Sequence, residues 1–400
     1  MRRVAPYVAH AALWVLLTTT GPFADIRVND FYVYTGYADL MRSGALPFRD
    51  FGFEYPPLAA LPMLAMPSAF WFGAIMLVSS LVAQFCAAQL AGARGELVAW
   101  LLVAQPILIG ASLRTHFDAL AVALMLAALA LVVADRPVWG LTLLGLATMT
   151  KLFPAVLLPG ILLWLLARRR DREAVWGLTA FLAVVLVVAL PFAGSGLVDM
   201  ARFHLDRPVQ IESSPATVLW AIGDSYVTGT NLTPDRFKSN GLAGGPAGVV
   251  QAVFSVLMIA GLLAAIPLAR RDLVLSATAS VLAFVALGKV LSPQYVIWLA
   301  PFAALCWARG ERLAGALIAA AVALTQVEFP RHYLDIVNGE AWVVLVIALR
   351  NAALVAALIL VLVGGARPRR HAARQGAPRG QDSPGRSRRQ PAFASRPGEP

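Results

Sequence analysis

Residues 152–193 read LFPAVLLPGILLWLLARRRDREAVWGLTAFLAVVLVVALPFA. Two apolar runs, 152–167 and 174–193, lie on either side of a cluster of four arginines and two acidic residues. A helix needs about 20 apolar residues to cross the hydrocarbon core of a bilayer, and these runs approach or reach that length. The stretch therefore predicts two membrane helices joined by a short charged loop.

The same alternation of apolar runs and short charged clusters covers most of the chain. Hydrophobic residues make up 59% of the 400 positions and charged residues only 14%, whereas a soluble domain carries about 25% charged residues. The runs do not alternate as membrane strands would, so they indicate helices. We predict an all-α, polytopic membrane protein with twelve spans, at 5–24, 70–91, 97–112, 117–134, 138–150, 152–167, 174–193, 248–268, 273–288, 290–307, 313–327 and 341–364.

The distribution of charge predicts the orientation of these spans. Cytoplasmic loops of membrane proteins are enriched in Lys and Arg. With the N-terminus in the cytoplasm, the inner segments hold twelve Arg against six acidic residues, and the outer segments hold eleven Lys or Arg against fourteen. We therefore expect a multi-pass protein of the cell membrane with both termini in the cytoplasm. Two of its outer segments are long, 25–69 and 194–247.

The C-terminal residues 366–400 differ from the rest of the chain. They hold nine Arg against Asp382 and Glu399, are rich in Pro, Gly, Ser and Gln, and have almost nothing apolar to bury. This composition predicts a disordered, basic cytoplasmic tail after a single membrane domain at 1–365. The net charge of +11 is a feature of many nucleic-acid-binding proteins. A basic tail beside a membrane instead favours anionic lipid headgroups, so we expect membrane lipids and no nucleic acid as its partner.

The first long outer segment contains the strongest candidate for a catalytic group. Asp30 precedes an aromatic run at 31–34, and Glu54 and Tyr55 follow in the same segment. A carboxylate that is partly desolvated among aromatic rings can act as a general base, because its pKa rises toward neutral pH. Asp30 can equally serve as the N-cap of a short helix. Both interpretations stay open on these residues alone.

Two cationic side chains lie at the tips of predicted outer hairpins. Arg114 and Asp118 are four residues apart, which favours a helical salt bridge. Arg114 is also suited to clamp a phosphate while Asp118 orients it. Lys151 lies in a hairpin made otherwise of apolar residues, where a cation is costly unless it meets an anion or extends to the headgroups.

Further polar residues follow in the C-terminal half. Lys289 opens a run at 289–295, in which Pro293 leaves backbone donors free for an anion. His332 lies beside Arg331 in the last outer loop and can bind phosphate or move a proton, although a lone surface histidine is commonly inert. Three residues of the second long segment are candidates for an acceptor groove: His204, Arg207 and Glu212.

One carboxylate and several cations are thus predicted on one side of a helical bundle. A phosphate-bearing lipid whose headgroup reaches the bundle from the bilayer needs this arrangement. The cations would hold the phosphate leaving group, and the carboxylate would activate an acceptor hydroxyl.

These motifs resemble glycosyltransferase family 87, the bacterial polyprenol-phosphate-mannose-dependent mannosyltransferases of the GT-C superfamily. The resemblance spans positions 30 to 295. It is carried by Asp30 with Tyr34, a Gly-x-x-Pro-Phe-x-Asp run at 44–50, Phe-Glu-Tyr-Pro-Pro at 53–57, and the segments 114–118, 151–154 and 292–295.

The resemblance implies a GT-C-like bundle that transfers mannose, with inversion, from a polyprenyl-phosphate donor to a lipid or glycolipid acceptor on the non-cytoplasmic face. It implies Asp30 as the general base, with Asp25 as the less favoured substitute. The donor phosphate would meet Arg114, Lys151 and Lys289, with His332 as a further contact. The donor and acceptor pocket would include Tyr34, Glu54, Tyr55, Asp118, Arg207, Glu212, Gln294 and Tyr295.

A monophosphate leaving group can be held by cationic side chains, so the resemblance requires no metal and no other cofactor. Members of the GT-C superfamily differ in their use of metals. Two other functions stay open. A secondary transporter or lipid flippase can share the twelve-span count, although transporters usually consist of paired halves. The second is a transferase that uses a different donor sugar, such as arabinose or glucose, because no motif in the sequence indicates the sugar.

Overall fold

The computed structural model describes residues 3–23, 30–65, 68–229 and 240–366. Asp25, the substitute base considered above, and the basic tail from residue 367 onward lie outside the described residues. The helices in these ranges are α1 (Ala5–Thr19), α2 (Phe31–Arg42), α3 (Ala60–Leu64), α4 (Ala69–Ala91), α5 (Gly95–Leu101), α6 (Gln105–Ile109), α7 (Ser112–Thr115), α8 (Asp118–Val133), α9 (Pro137–Thr150), α10 (Leu158–Leu166), α11 (Asp171–Ala189), α12 (Ser195–Asp206), α13 (Ser214–Ile222), α14 (Ala247–Ala265), α15 (Leu273–Leu287), α16 (Val296–Arg309), α17 (Arg312–Glu328), α18 (Tyr333–Val337) and α19 (Ala341–Ala366).

Short stretches of 3-10 helix and a small sheet complete the described part of the chain. The 3-10 stretches are Pro57–Ala59, Gly92–Arg94, Leu102–Ala104, Phe153–Leu157, Leu190–Phe192, Ile266–Arg270 and Pro293–Tyr295. The strands are β1 (Val209–Gln210), β2 (Tyr226–Thr228) and β3 (Gly241–Ala243). They form an antiparallel sheet in the order β1-β3-β2.

Within the described ranges, four segments are long and apolar enough to cross a membrane, and the prediction of a helical membrane protein is therefore confirmed. They are Ala69–Ile109, Asp171–Phe192, Ala247–Arg270 and Ala341–Ala366. Five shorter apolar helices accompany them: α1, α8, α9, α15 and the segment Phe153–Leu166. The predicted spans 70–91 and 97–112 both lie in the first of the four segments, where α4 ends at Gly92 (φ 58°, ψ −121°) and the Gln84 side chain donates to the Ala99 carbonyl oxygen at 2.7 Å, so the chain folds back between them. The count of twelve spans stays a prediction.

The helices α11 and α15 differ in where they bury their apolar surface. α11 buries Ala174, Gly177 and Phe181 and leaves large apolar side chains such as Trp176 and Leu186 exposed. A helix that is apolar on its exposed face is suited to contact lipid. α15 buries fourteen of its fifteen residues, and its many Ala, Ser and Thr side chains let neighbouring helices approach closely. α15 is therefore an internal helix of the bundle.

The start of α15 is fixed by charge as well as by packing. The Asp272 carboxylate accepts hydrogen bonds from the backbone amides of Val274 and Leu275, which a helix leaves unpaired at its N-terminus. The other carboxylate oxygen of Asp272 lies 2.5 Å from the Arg309 guanidinium at the end of α16. The cap therefore joins two helices of the bundle.

Lys151 lies at the tip of the hairpin that α9 forms with α10. α9 ends at Thr150, and Lys151 adopts an extended backbone conformation (φ −154°, ψ 137°). Pro154 then lies in the first turn of the 3-10 stretch Phe153–Leu157, where the missing N–H of proline costs no hydrogen bond. The chain thus turns at Lys151 and places its side chain at the end of the hairpin.

The second long segment, 194–247, folds against the bundle. The backbone amide of Gln210 in β1 donates to the carbonyl oxygen of Lys289 at 2.9 Å, which ties the segment to the connection between α15 and α16. A second small hydrophobic core includes Val209, Leu219, Leu242 and Ile347. It packs the sheet and α13 against α19.

Candidate functional site

A cavity of about 1310 Å³ lies where these connections meet. Its walls come from α2, the segment 54–56, the Lys151 turn, the end of α12, the connection 288–295 and one face of α14. Nine of the fourteen residues predicted for the site within the described ranges line it: Asp30, Glu54, Tyr55, Lys151, His204, Arg207, Lys289, Gln294 and Tyr295. The five placed elsewhere are Tyr34, Arg114, Asp118, Glu212 and His332.

Asp30 presents its carboxyl group to the cavity from the residue before α2. About 38% of its side chain is exposed. Its side chain makes no capping hydrogen bond to the described residues of α2. The interpretation of Asp30 as a side-chain N-cap is therefore wrong. Its Oδ2 atom instead lies 3.3 Å from Nε2 of His116, whose side chain is only 2% exposed.

The contact with His116 was not predicted from the sequence. His116 was known only as part of the 114–118 turn, and its pairing with Asp30 depends on how α2 packs against that turn. Its Nδ1 atom lies 2.9 Å from Thr115 Oγ1 and 3.3 Å from the carbonyl oxygen of Ser112. The available signal was a histidine beside a predicted outer aspartate, which is weak without tertiary structure.

Asp118 pairs with Lys151 and not with Arg114. The Lys151 ammonium donates to Asp118 Oδ1 at 2.7 Å, and the Trp298 indole N–H donates to the same oxygen at 2.5 Å. The predicted helical salt bridge is wrong because α7 ends at Thr115 and His116 is extended (φ −127°, ψ 139°). The i, i+4 spacing therefore has no helix to place the two side chains on one face.

Lys151 is enclosed by aromatic rings as well as by Asp118. Its ammonium lies 4.8 Å from the ring centre of Phe117, 5.5 Å from that of Trp298 and 5.9 Å from that of Tyr55. A ring face attracts a cation at these distances. Trp298 is itself stacked between Phe153 and Tyr295, each at 3.8 Å. Trp298 and Phe153 line the cavity and were not among the predicted residues.

Arg114 lies outside the cavity lining. Its guanidinium donates to the carbonyl oxygen of Thr18, near the end of α1. Gly73 of α4 lets the side chain pass, since a Cβ atom at Gly73 would lie 3.3 Å from Arg114 Cγ. The structure thus gives Arg114 a role in joining α1, α4 and α7.

Lys289 lines the cavity and also bonds to the end of α12. Its ammonium donates to the carbonyl oxygens of Leu205 and Arg207 at 2.6 and 2.9 Å. These carbonyls lie at the C-terminus of α12, where a cation is favourable. Burial lowers the pKa of Lys289. Arg207 lines the cavity beside it and lies over the ring of Phe203 at 5.3 Å.

Glu54 is a second carboxyl group in the cavity lining. Burial, and next the negative charge of Asp30, raise the pKa of Glu54 to about 7. Nε2 of His204 lies 3.0 Å from the Glu54 carbonyl oxygen, and burial lowers the pKa of His204. Tyr55 packs edge-on against Phe117 at 5.1 Å. The environments of the Asp30 and Glu54 carboxyl groups therefore differ.

Tyr34, Glu212 and His332 occupy other places. Tyr34 is buried behind Tyr55, with ring centres 6.0 Å apart. Glu212 is fully buried, and its carboxylate accepts from the Gln210 side chain at 2.9 Å. His332 Nδ1 lies 2.7 Å from Asp335 Oδ2. The structure therefore does not bring Glu212 and His332 to the cavity.

No group of three or more His, Cys, Asp and Glu side chains within the described ranges is arranged to hold a metal ion. The charges that the cavity offers are the carboxyl groups of Asp30, Asp39 and Glu54 and the cations of Lys151, Arg207 and Lys289.

Comparison with protein families gives one match. The family described as glycosyltransferase family 87 matches residues 53–293, more than half of the chain. The matched range includes Glu54, Lys151 and Lys289, whereas Asp30 lies before it and Tyr295 after it. No curated protein matches the chain.

Proposed function

The chain belongs to glycosyltransferase family 87, and on that basis we propose that it transfers a hexose from a polyprenyl-phosphate donor to a lipid or glycolipid acceptor. Mannose is the proposed sugar, inversion the stereochemical outcome, and the non-cytoplasmic face of the cell membrane the side of the reaction. The observation that carries the proposal is the one cavity that Asp30, Lys151 and Lys289 all line.

The wall formed by α14 supports a substrate that arrives from the bilayer. Gln251, Ser255 and Met258 line the cavity and share one face of α14, because they are spaced by four and three residues. These three side chains become less polar from the N-terminal to the C-terminal end of α14. The other side of α14 exposes apolar side chains such as Val249 and Val256. One helix thus separates the cavity from the surface that would face lipid.

The size of the cavity supports two substrates. Its volume of about 1310 Å³ exceeds the range of about 300–1,000 Å³ that is typical of small-molecule sites. A phosphate-linked sugar and the sugar or hydroxyl end of an acceptor can therefore occupy it together. The Tyr295 ring, which stacks on Trp298 and lines the cavity, suits the apolar face of a sugar ring.

The proposed reaction is a single displacement. Asp30 accepts the proton of the acceptor hydroxyl as the oxygen attacks the anomeric carbon. The bond from the anomeric carbon to the phosphate oxygen breaks, and the polyprenyl phosphate leaves with both bonding electrons. Lys151 and Lys289 stabilise the charge that develops on the phosphate. One displacement at one carbon inverts its configuration.

The proposal is tested by incubating reconstituted protein with labelled polyprenyl-phosphate-mannose and an extract of membrane lipids. The wild type should transfer label to a lipid. Asp30→Asn keeps the shape of the side chain but removes the base, so turnover should fall by about 10²–10⁴-fold while donor binding is retained. Asp199→Asn is the matched control, because Asp199 is exposed on α12 and pairs with Arg202.

Two results would contradict this proposal in different ways. Full activity in Asp30→Asn would show that Asp30 is not the base, without contradicting the transferase function. Folded wild-type protein that transfers label from no polyprenyl-phosphate sugar, but moves the lipid across the bilayer, would replace the transferase with a transporter or flippase.

A further inference from the structure

We propose that Gly36 determines which acceptors the cavity admits, because it opens a notch in the wall formed by α2. The notch would hold the sugar residue next to the one whose hydroxyl meets Asp30. The inference rests on the proposed function and deepens it, since it assigns the acceptor a head of at least two sugar residues.

One face of α2 lines the cavity, and Gly36 lies within that face. Its members are Tyr32, Val33, Gly36, Tyr37, Asp39 and Leu40. They recur every three to four residues, as the residues on one face of a helix do. Tyr32 lies one turn before Gly36 and Leu40 one turn after it. The side chain that is missing at Gly36 therefore leaves a notch between those two residues.

Packing among the described residues gives no reason for a glycine at this position. Gly36 lies in the middle of α2, where glycine is less stable than alanine. A Cβ atom added there would meet no atom of the described residues within 4 Å. A glycine suits such a position when a ligand approaches the backbone closely.

The other glycines inside the described α-helices differ from Gly36 in their surroundings. Beyond the first two residues of each helix, a Cβ atom added at any of them would lie within 3.3 Å of a neighbouring atom. At Gly177 that neighbour is Leu141, at 2.3 Å, and at Gly261 it is Ala283, at 3.0 Å. These glycines let helices pack closely, whereas Gly36 opens toward the cavity.

The groups beside the notch suit a sugar better than a hydrocarbon chain. Tyr32 is 69% exposed, and its ring can stack on the apolar face of a sugar. Asp39 is exposed as well, and its carboxylate can accept hydrogen bonds from sugar hydroxyls. Asp39 also pairs with Arg42 at 3.1 Å. Covering this ion pair with hydrocarbon would cost free energy.

The distance of the notch from Asp30 indicates which part of the acceptor it would hold. Asp30 directly precedes α2, and Gly36 follows it by six residues. At a rise of about 1.5 Å per residue, the two positions are about 9 Å apart along the helix axis. The reacting hydroxyl lies at Asp30, so the notch would hold the next unit of the acceptor.

The melting temperature shows whether the fold itself requires this glycine. Gly36→Ala occupies open space and removes the lower helix stability of glycine, so the melting temperature in detergent should rise by about 1–3 °C. A melting temperature below that of the wild type would assign the glycine to the fold and overturn the inference.

Binding of small acceptors tests the notch without turnover. The probes are methyl α-mannoside and two methyl α-mannobiosides that differ in linkage, observed by ligand-detected NMR on the full-length protein. The wild type should bind at least one mannobioside about tenfold more tightly than the mannoside, because the second sugar occupies the notch. Gly36→Leu should remove this gain and leave mannoside binding within about threefold of the wild type.

Gly248→Leu is the matched control for this substitution. Gly248 lies in the first turn of α14, and a Cβ atom there would also meet no described atom within 4 Å. It is not among the described residues that line the cavity. Gly248→Leu should therefore bind all three probes as the wild type does.

Turnover with labelled polyprenyl-phosphate-mannose separates this inference from the proposed function. Gly36→Leu should raise the KM for the preferred mannobioside by about tenfold without changing the donor KM. The inference is overturned if the wild type binds no mannobioside more tightly than the mannoside, or if Gly36→Leu retains that preference. Loss of the preference in Gly36→Leu, with no sugar transfer by the wild type, would contradict the proposed function and support the notch.

Discussion

Two buried cations of this protein, Lys151 and Arg350, are each paired with a carboxylate and yet occupy very different surroundings. Lys151 bonds to Asp118 and lines the cavity. Arg350 bonds to Glu328, and the side chains of both residues are completely buried. A cation inside a helical membrane bundle is costly without a partner, so pairing alone does not distinguish a site from a structural element.

The difference lies in how many donors each cation has already used. All three nitrogens of the Arg350 guanidinium donate within the bundle: to the Glu328 carboxylate, to the Glu212 carbonyl oxygen and to the Asn351 side chain. Asn351 donates in turn to Thr217 at 2.8 Å. This network joins α13, α17 and α19 and leaves no donor directed at a substrate.

The Lys151 ammonium has three hydrogens and, among the residues that the structure describes, one hydrogen bond, to Asp118. Its other neighbours are ring faces, which attract the cation but accept no strong hydrogen bond. A phosphate oxygen in the cavity can therefore bond to Lys151 without displacing Asp118. A buried cation with hydrogens left over at a cavity is suited to bind an anion, whereas a fully buried cation whose every nitrogen bonds within the bundle is structural.

The largest expected effect comes from removing the structural cation. Arg350→Met leaves the buried Glu328 carboxylate without its partner, so the free energy of unfolding should fall by about 3–5 kcal/mol. Unfolding of the purified protein in detergent measures this change. Arg312→Met, at an exposed position of α17, should stay within about 0.5 kcal/mol of the wild type. An Arg350→Met protein as stable as that control would show that the network is dispensable.

A smaller effect is expected from the pH dependence of stability. The pKa of Glu54 is about 7 in the folded protein and ordinarily 4.5, so between these pH values the folded state binds more protons than the unfolded state. Stability should therefore fall as pH rises through this window, by at most about 1.4 kcal/mol per pH unit for one proton, and level off above pH 7.

Glu54→Gln should remove this slope, because the amide does not titrate. Denaturant unfolding measured from pH 4.5 to 8 tests the expectation. Glu340→Gln serves as the control, since Glu340 is exposed and its replacement should leave the slope in place. Equal slopes in the Glu54→Gln and wild-type proteins would show that the Glu54 carboxyl group is more exposed to water than the structure indicates.

The smallest effect is expected at Lys289, which is intermediate between Lys151 and Arg350 in the number of hydrogen bonds that its cation makes within the protein. Two of its hydrogens bond to the α12 carbonyls, so Lys289→Met should cost about 0.3–1 kcal/mol of stability through the lost helix-terminus interaction. One remaining donor should give the donor phosphate a contact, so the donor KM should rise by less than about tenfold. Arg202→Met, exposed on α12, is the control. An unchanged donor KM would assign Lys289 to α12 alone.

The apolar runs predicted the class of fold because the pattern that makes a membrane helix is local. The tip position of Lys151 followed from the same pattern, since a hairpin of two apolar helices must turn at its one polar residue. The segment 69–109 shows the limit of this reasoning. The predicted span 97–112 is divided there into α5, a 3-10 stretch, α6 and the start of α7, with Gly110 at φ 65°, and the apolar pattern does not report these breaks.

The partners of the charged residues could not be predicted in the same way. The spacing of Arg114 and Asp118 indicated a salt bridge, but the extended conformation of His116 removes the helix that the spacing assumed. The contacts of Asp118 with Trp298 and of Arg350 with Glu328 join segments far apart in the chain. They depend on helix packing, which a single sequence does not report.

The difference between the two cations is tested most directly by neutralising each pair as a unit. Lys151→Met with Asp118→Asn, and Arg350→Met with Glu328→Gln, leave no unpaired charge, so both proteins should fold. We expect the second double variant to keep sugar transfer per folded molecule within about threefold of the wild type. The first should lose about 10–100-fold in kcat/KM for the donor, the value of one charge-assisted hydrogen bond. Equal activity of the two folded double variants would contradict a phosphate-binding role for Lys151.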